Sequence, residues 1–508
     1  MGRRPARPRR PGCRRHARPA RDLPLALRRR PGHRLRPRQR AFRGVAGLPR
    51  HRRHRRTGHP HHRPPCRAPL PGTPWPARNG PGRHPAQPGA APVTSTATRD
   101  TRFPRLLAAA TLSNLGDGVR VVALPLLAAA TTRDPFAVSA LTACAFLPWF
   151  LFGLPIGALV DRSRPETFMA WANTARTVIL AGLSLALLAD VRSMPLLYVL
   201  AFLLGIGEAA YDNAAQSLVP RVVADEKLEK ANSALITAER VGQDLAGPAL
   251  GGLLFAASPV LPFGLNAAAM ALGVLLLIRI RTFQPPSPPR GPVVRTVVTD
   301  AAAGMRWLWR APLIRTIVLT GSALTFFTMA WEATLVLLAR GPMGVSETGY
   351  GIMLAIGAIG GVTGSLLTPT LVRRFERRPL QIAAIAVTAA LDLALAVHPH
   401  PALAALAWGG TGAAFAVWNV LSVTLRQRLV PAELLGRVNS ANRTFSMAAV
   451  PLGALTGGFV ADTLGLRAPL WMAAAALTVL AFAYAVATRN SDASKPNPGP
   501  DDKVVEPQ

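Results

Sequence analysis

Between about Arg105 and Arg489, long apolar runs alternate with short polar breaks. A bilayer core of about 30 Å takes roughly 20 apolar helical residues to cross. Twelve runs reach that length: 105–131, 135–160, 167–189, 194–219, 229–257, 260–280, 312–339, 347–371, 379–397, 401–425, 434–461 and 467–488. The weakest is 379–397, which Asp392 interrupts. This pattern predicts an all-α integral membrane protein with twelve crossings. The longest polar break, Arg281–Ala311, carries Pro285-Pro-Ser-Pro-Pro and Arg290 and divides the runs six and six. The expected organisation is a first six-helix bundle over 105–280, a linker over 281–311, a second bundle over 312–488 and a polar tail over 489–508.

The two halves repeat each other. Gln216-Ser-Leu-Val-Pro220, Ala231-Asn-Ser-Ala234 and Gly247-Pro-Ala-Leu-Gly-Gly252 follow in order in the first half. Gln427-Arg-Leu-Val-Pro431, Val438-Asn-Ser-Ala441 and Pro451-Leu-Gly-Ala-Leu-Thr-Gly-Gly458 follow in the same order in the second, with the first-named prolines 211 residues apart. Duplicated helical halves mark secondary transporters, whose substrate path runs between the halves.

Charge sets the expected orientation. With the N-terminus inside, the inner loops carry 19 Lys and Arg and the outer loops four, namely Arg133, Arg192, Arg340 and Arg467. Basic loops stay on the cytoplasmic side, so both ends are expected inside, in the plasma membrane.

Composition alters the picture only for residues 1–100. They hold 27 Arg, no Lys, 19 Pro, eight of the ten His and two acids, Asp22 and Asp100, and so supply most of the net charge of +34. Such a stretch buries too little apolar surface to offset its ordering entropy, and disorder is expected. Leu23-Pro-Leu-Ala-Leu27 is too short for a secretory signal. Arginines in that number suit phosphate on nucleic acid or anionic lipid. Yet Arg, Pro, Gly and Ala all have GC-rich codons, and the missing Lys points to GC-rich DNA translated upstream of the true start. Val93 is the natural place for that start, just before the first helix, and nucleic acid is not an expected partner. His51/His54 and His59/His61/His62 resemble metal ligands only through abundance. Cys13, Cys66 and Cys144 give no disulfide framework.

Gly157-Ala-Leu-Val-Asp161-Arg162-Ser-Arg164 follows the second apolar run. It resembles the GxxxDR loop signature that the major facilitator superfamily carries between its second and third helices. Gly157 suits close helix approach, and Asp161 can pair with basic groups or a helix N-terminus. Asn114-Leu-Gly-Asp117, Thr131-Thr-Arg-Asp-Pro135 and the stretch Pro220–Gly252 resemble the branch containing macrolide-efflux and siderophore-exporter proteins, and the resemblance covers about 105–488. The matching loop of the second half, near Gly364-Ser-Leu-Leu-Thr-Pro-Thr-Leu-Val-Arg-Arg374, lacks the acid. Gly247, Pro248, Gly251 and Gly252, with Gly242 upstream, resemble the GPxxGG motif associated with antiporters; Pro248 withdraws a backbone donor and is expected to kink the helix, and the alternative is a packing motif with no directional meaning.

Ionisable groups at membrane depth normally face a cavity or a partner. By position in the runs, Asp117, Glu208, Asp212 and Asp244 lie near mid-depth, with Arg120, Arg176 and Arg240 as possible partners. The resemblance places helices one and four on the cavity, where a desolvated carboxyl can exchange a proton near neutral pH. All four are therefore proton-coupling candidates, set against plain ion pairs: Asp117 with Arg120 or Arg176, Asp212 with Arg162, Asp244 with Arg240. Glu332 beside Trp331, and the pair Trp418 and Asn419, are substrate-cavity candidates; Glu332 with ring neighbours suits a cationic amphiphile. Ordinary helix packing is the alternative.

No GxxxxGK[ST], HExxH, GxSxG or Cys/His cluster occurs in the body, so the sequence implies no cofactor, no metal and no enzyme. The resemblance implies a monomeric secondary transporter in the lipid bilayer. The expectation is proton-coupled export of a small amphipathic molecule such as a drug, antibiotic or siderophore. The alternatives are uptake or uniport by the same fold, and a non-transporting membrane sensor or assembly protein.

Overall fold

Backbone crossing hydrocarbon must satisfy its own hydrogen bonds, so each apolar run resolves into helix. The computed structural model describes residues 101–160, 163–280 and 304–489. The readings of residues 1–100, Asp161, Arg162, most of the linker and the C-terminal tail lie outside the described residues.

In the first half, α1 (Arg102–Thr131), α2 (Pro135–Val160), α3 (Pro165–Leu188) and α4 (Met194–Val222) each follow one apolar run. The fifth run becomes α5 (Leu228–Glu239), a π-helical segment (Arg240–Ala246) and α6 (Gly247–Ala257), and the sixth becomes α7 (Leu261–Leu277). In the second half, α8 (Pro312–Glu332) and α9 (Leu335–Arg340) share the seventh run. Then come α10 (Glu347–Arg374), α11 (Arg377–Val397), α12 (Pro401–Leu429), α13 (Ala432–Leu464) and α14 (Ala468–Ala487). Ten spans among the described residues are long and apolar enough to cross a membrane, counting Pro312–Arg340 as one. The composite fifth rod and the shorter apolar α7 occupy the two remaining runs.

Local chemistry sets the boundaries. Proline stands at the first or second position of α3, α4, α7, α8, α12 and α14, where its fixed φ suits the helix and its missing N–H is no loss. Asp134 Oδ1 accepts from the Phe136 and Ala137 amides ahead of α2, and Ser346 Oγ accepts from Gly349 N at the start of α10. Gly465, at φ 95°, ends α13 in a conformation that L side chains rarely adopt.

The fifth rod departs from the single kinked helix expected over 229–257. Pro248 has no N–H to donate four residues back. The backbone widens instead, and Gly247 N donates to the Gly242 carbonyl five residues back. A π turn of this kind re-aims the side chains that follow it.

The cores divide by depth. At the end holding the α1–α2 and α9–α10 connections, one apolar core joins both halves, with Leu124, Leu127, Val138 and Phe255 packed together with Leu335, Leu338, Tyr350 and Met353. At the opposite end each half keeps its own core, around Met169 and Leu218 in the first and Ile317 and Ile385 in the second. The halves are therefore sealed together at one end.

Candidate substrate cavity and its charge cluster

Asp117 sits midway along α1 between two glycines. A Cβ on Gly118 would stand 2.5 Å from the Gln243 carbonyl oxygen, and Gly116 abuts Asn266 of α7, whose Nδ2 donates to the Gly116 carbonyl at 2.7 Å. The two bare positions bring α1 close enough to the fifth and sixth rods to leave Asp117 only 3% exposed. Its Oδ1 pairs with Arg176 Nη2 of α3 and, at 3.5 Å, with Arg120 Nε one turn on. Arg176 is fully buried, and its Nη1 donates to Ser113 Oγ at 3.2 Å and Asn173 Oδ1 at 3.3 Å. Gly207 of α4 makes room for it: a Cβ there would lie 2.6 Å from Arg176 Cγ.

Arg120 links this pair to α4. Its Nη2 donates to Glu208 Oε2 at 2.5 Å, and Gln243 Nε2 donates to Glu208 Oε1 at 3.4 Å. Asp212, one turn further along α4, is half-buried, with no hydrogen bond or ion pair among the described residues. Asp117 and Glu208 thus share Arg120, while Arg176 pairs with Asp117.

Arg120, Glu208 and Gln243 wall one side of a cavity of about 150 Å³ between the halves. Glu332 of α8 and Tyr350 of α10 face it from the other half, and Pro125, Leu141 and Phe146 add an apolar lining. Glu332 has no ion pair among the described residues. The two acids of the cavity therefore differ: Arg120 holds Glu208, and nothing comparable holds Glu332.

A family profile described as transmembrane secretion effector matches residues 93–507. The chain belongs to the major facilitator superfamily. An uncharacterized MFS-type transporter of Sinorhizobium fredii, y4rN, is 30% identical over 70% of this chain and 87% of its own length. The multidrug efflux pump Tap of Mycolicibacterium fortuitum is 26% identical, covering 73% of this chain and 92% of that one. The enterobactin exporter EntS of Shigella boydii is 26% identical over 59% and 71%. Among solved structures, an inward-facing, occupied bacterial homologue of the lysosomal transporter Spinster aligns with TM-score 0.61 and 16% identity, covering 78% of this chain and 98% of that one. An inward-facing bacterial homologue of ferroportin aligns with TM-score 0.59 and 18% identity, over 76% and 98%. At such identities the likeness is one of fold.

The superfamily duplication reappears in the packing of its glycines. Cβ atoms on Gly242, Gly247 and Gly251 would stand 3.1 Å from Leu115 N, 2.6 Å from Gly118 Cα and 2.7 Å from the Val119 carbonyl oxygen, all on α1. Gly252, one position on, faces the other half, where a Cβ would stand 2.5 Å from the Glu347 carbonyl oxygen of α10. In α13, Gly453 and Gly457 abut the Phe326 and Ala330 carbonyls of α8, while Gly458 abuts Ser139 of α2 in the other half. Gly247 and Gly251, like Gly453 and Gly457, thus lie against their own half, and Gly252, like Gly458, lies against the partner half.

Several expectations need correction. Asp244 lies away from the cluster in a half-exposed i, i+4 pair, accepting from Arg240 Nη1 at 2.7 Å. Trp331 is 2% exposed and stacks edge-on against Trp408 at 5.3 Å, so it is core and not cavity wall. Trp418, 3% exposed, packs against Tyr484 inside the second half, and Asn419 is exposed on another face of α12. A Cβ on Gly157 would make ordinary contact, 3.5 Å from Asn213 Oδ1, so the close approach expected there is not required. Arg164 caps α3 in the open. Position in a run gives depth, whereas neighbouring residues on a helix point about 100° apart, as 3.6 residues per turn dictates. Depth alone therefore does not separate Glu332, which lines the cavity between the halves, from Trp331, which packs against Trp408. Gln243 and Tyr350 were missed, although each is a polar or hydroxylated side chain beside a helix-packing glycine, Gly242 and Gly351.

Proposed function

We propose that this transporter exports small amphipathic molecules, of the drug, antibiotic or siderophore kind, in exchange for protons. In this reading it works as a monomer in the plasma membrane with both termini cytoplasmic. The observation that supports the reading most is the cavity itself, which sets the Arg120–Glu208 pair on one wall against Glu332, without an ion pair among the described residues, on the other. Apolar lining beside such an acid suits a molecule with an apolar body and a cationic or hydrogen-bonding end. At about 150 Å³ the cavity is below the roughly 300 Å³ usual for small-ligand sites, so loading must widen it. The Tap and EntS relatives, both named for outward transport, favour export.

Arg120 is the natural coupling element, because it is shared by Asp117 and Glu208. Protonation of either acid releases one of its bonds and turns it toward the other. An inward proton gradient drives transport only if such a step alters the same equilibrium that loads the substrate.

The test is flux in liposomes under an imposed pH gradient, with an amphipathic fluorescent cation as cargo. Among Asp117→Asn, Glu208→Gln and Asp212→Asn, at least one should abolish uphill transport while keeping cargo exchange. Uphill transport by all three variants sinks the carboxyl assignment, and a wild type indifferent to the gradient points to uniport or another ion. Orientation is tested separately. Single cysteines at Ser346 and Arg377, which stand at opposite ends of the bundle, should label from outside and inside respectively; the reverse pattern rejects cytoplasmic termini.

A further inference from the structure

A larger cavity lies on the flank of the first half, away from the central one. It is a groove of about 660 Å³ between α3 and the last turns of α7. Its depth is apolar, formed by Ala170, Val274, Leu277 and Ile280, with Ile278 and Trp171 as exposed walls. Trp171 is 72% exposed, which places a large ring where the bilayer would lie. The mouth is basic. Arg164 lines it and is exposed, and Arg279, also exposed, sits between the lining residues Ile278 and Ile280. Arg105 of α1 lies behind Arg279, its Nη1 donating to the Arg279 carbonyl at 3.3 Å. Glu166 is the one acid in the lining, buried in the first turn of α3.

The dimensions select the occupant. From Arg164 to Thr174 the groove follows α3 for about 15 Å at 1.5 Å per residue, half of a hydrocarbon core of roughly 30 Å. That is the depth of one leaflet, with cations at its headgroup end and an aromatic ring between. Basic pockets between membrane helices bind anionic headgroups.

We propose that the groove is a site for a single anionic glycerophospholipid. Its phosphate and headgroup lie against Arg164 and Arg279, with Arg105 behind, and one acyl chain runs along Trp171 and the apolar face of α7. The site is separate from the substrate path and does not depend on the direction or coupling of transport.

Trp171 itself supplies the readout. The full-length protein in mixed micelles is titrated with phosphatidylglycerol carrying brominated chains, and in parallel with brominated phosphatidylcholine. Subtracting the Trp171→Phe signal isolates this ring from the other tryptophans. Phosphatidylglycerol should half-quench Trp171 at a several-fold lower mole fraction than phosphatidylcholine. Arg164→Gln combined with Arg279→Gln should bring the two curves together, and Arg164→Lys, which keeps the charge but not the planar fork, should preserve part of the preference. Coincident curves in the wild type mean that any bulk lipid fills the groove, which overturns the proposal. An undiminished preference in the double Gln variant overturns it too. If the double variant folds poorly, Arg164→Gln alone, at an exposed position, carries the same comparison.

Discussion

Arg176→Gln is expected to abolish transport and to lower the thermal midpoint of the detergent-solubilised protein sharply. Arg176 is fully buried and makes the ion pair that holds Asp117, itself nearly inaccessible. Removing one partner of a buried pair strands the other charge, at a cost of about 3–5 kcal/mol, and Arg120 alone, at 3.5 Å, does not replace it. The double substitution Asp117→Asn with Arg176→Gln removes the stranded charge. It should recover most of the lost stability and none of the gradient-driven transport. Thermal unfolding followed by fluorescence, alongside liposome flux, separates the two. A double variant no more stable than Arg176→Gln alone refutes the stranded-charge explanation.

The second large effect concerns the glycine contacts. Gly251→Val and Gly457→Val should prevent accumulation of folded protein, because each pushes a branched side chain into the backbone of α1 or α8. Overpacking of this kind costs about 1–3 kcal/mol where neighbours can shift, and a carbonyl oxygen held in a helix yields little. Gly182→Ala and Gly436→Ala, where nothing lies within 4 Å, serve as silent controls. Gly252→Ala should behave differently from both groups. Its obstacle belongs to α10 of the other half, so each half should still fold while the sealed arrangement is strained. Normal membrane yield with several-fold slower transport is the expected result; transport at the wild-type rate would show that this contact is not used in the cycle.

Much of the fold is legible in the residues because hydrocarbon leaves the backbone few choices. Predicted runs beginning at 135, 312 and 401 match α2, α8 and α12 at their first residue, and in each case a proline marks it. The π segment was not legible, since periodicity records which positions are apolar and not which carbonyl each N–H reaches. Pro248 suggested a kink; the wider turn depends on Gly247 finding Gly242. At the site, the charges themselves were legible. An aspartate and two arginines deep in apolar runs demand partners, and Asp117 with Arg120 or Arg176 is a pairing that their depths allow. Which face each side chain takes was not legible, because it depends on neighbouring helices. Trp331 turns toward Trp408 while adjacent Glu332 turns to the cavity.

The apolar core shared by the two halves at one end has a thermal consequence. Opening that end wets the facing surfaces around Leu124, Leu127, Leu335 and Leu338, and wetting apolar surface raises the heat capacity. Hydrophobic closure also weakens on cooling. The equilibrium between the two facings should therefore follow a curved van't Hoff plot, with the curvature set by the difference in apolar area wetted at the two ends. Chilling the empty protein should raise the fraction open at the presently sealed end, with no cargo or proton gradient involved.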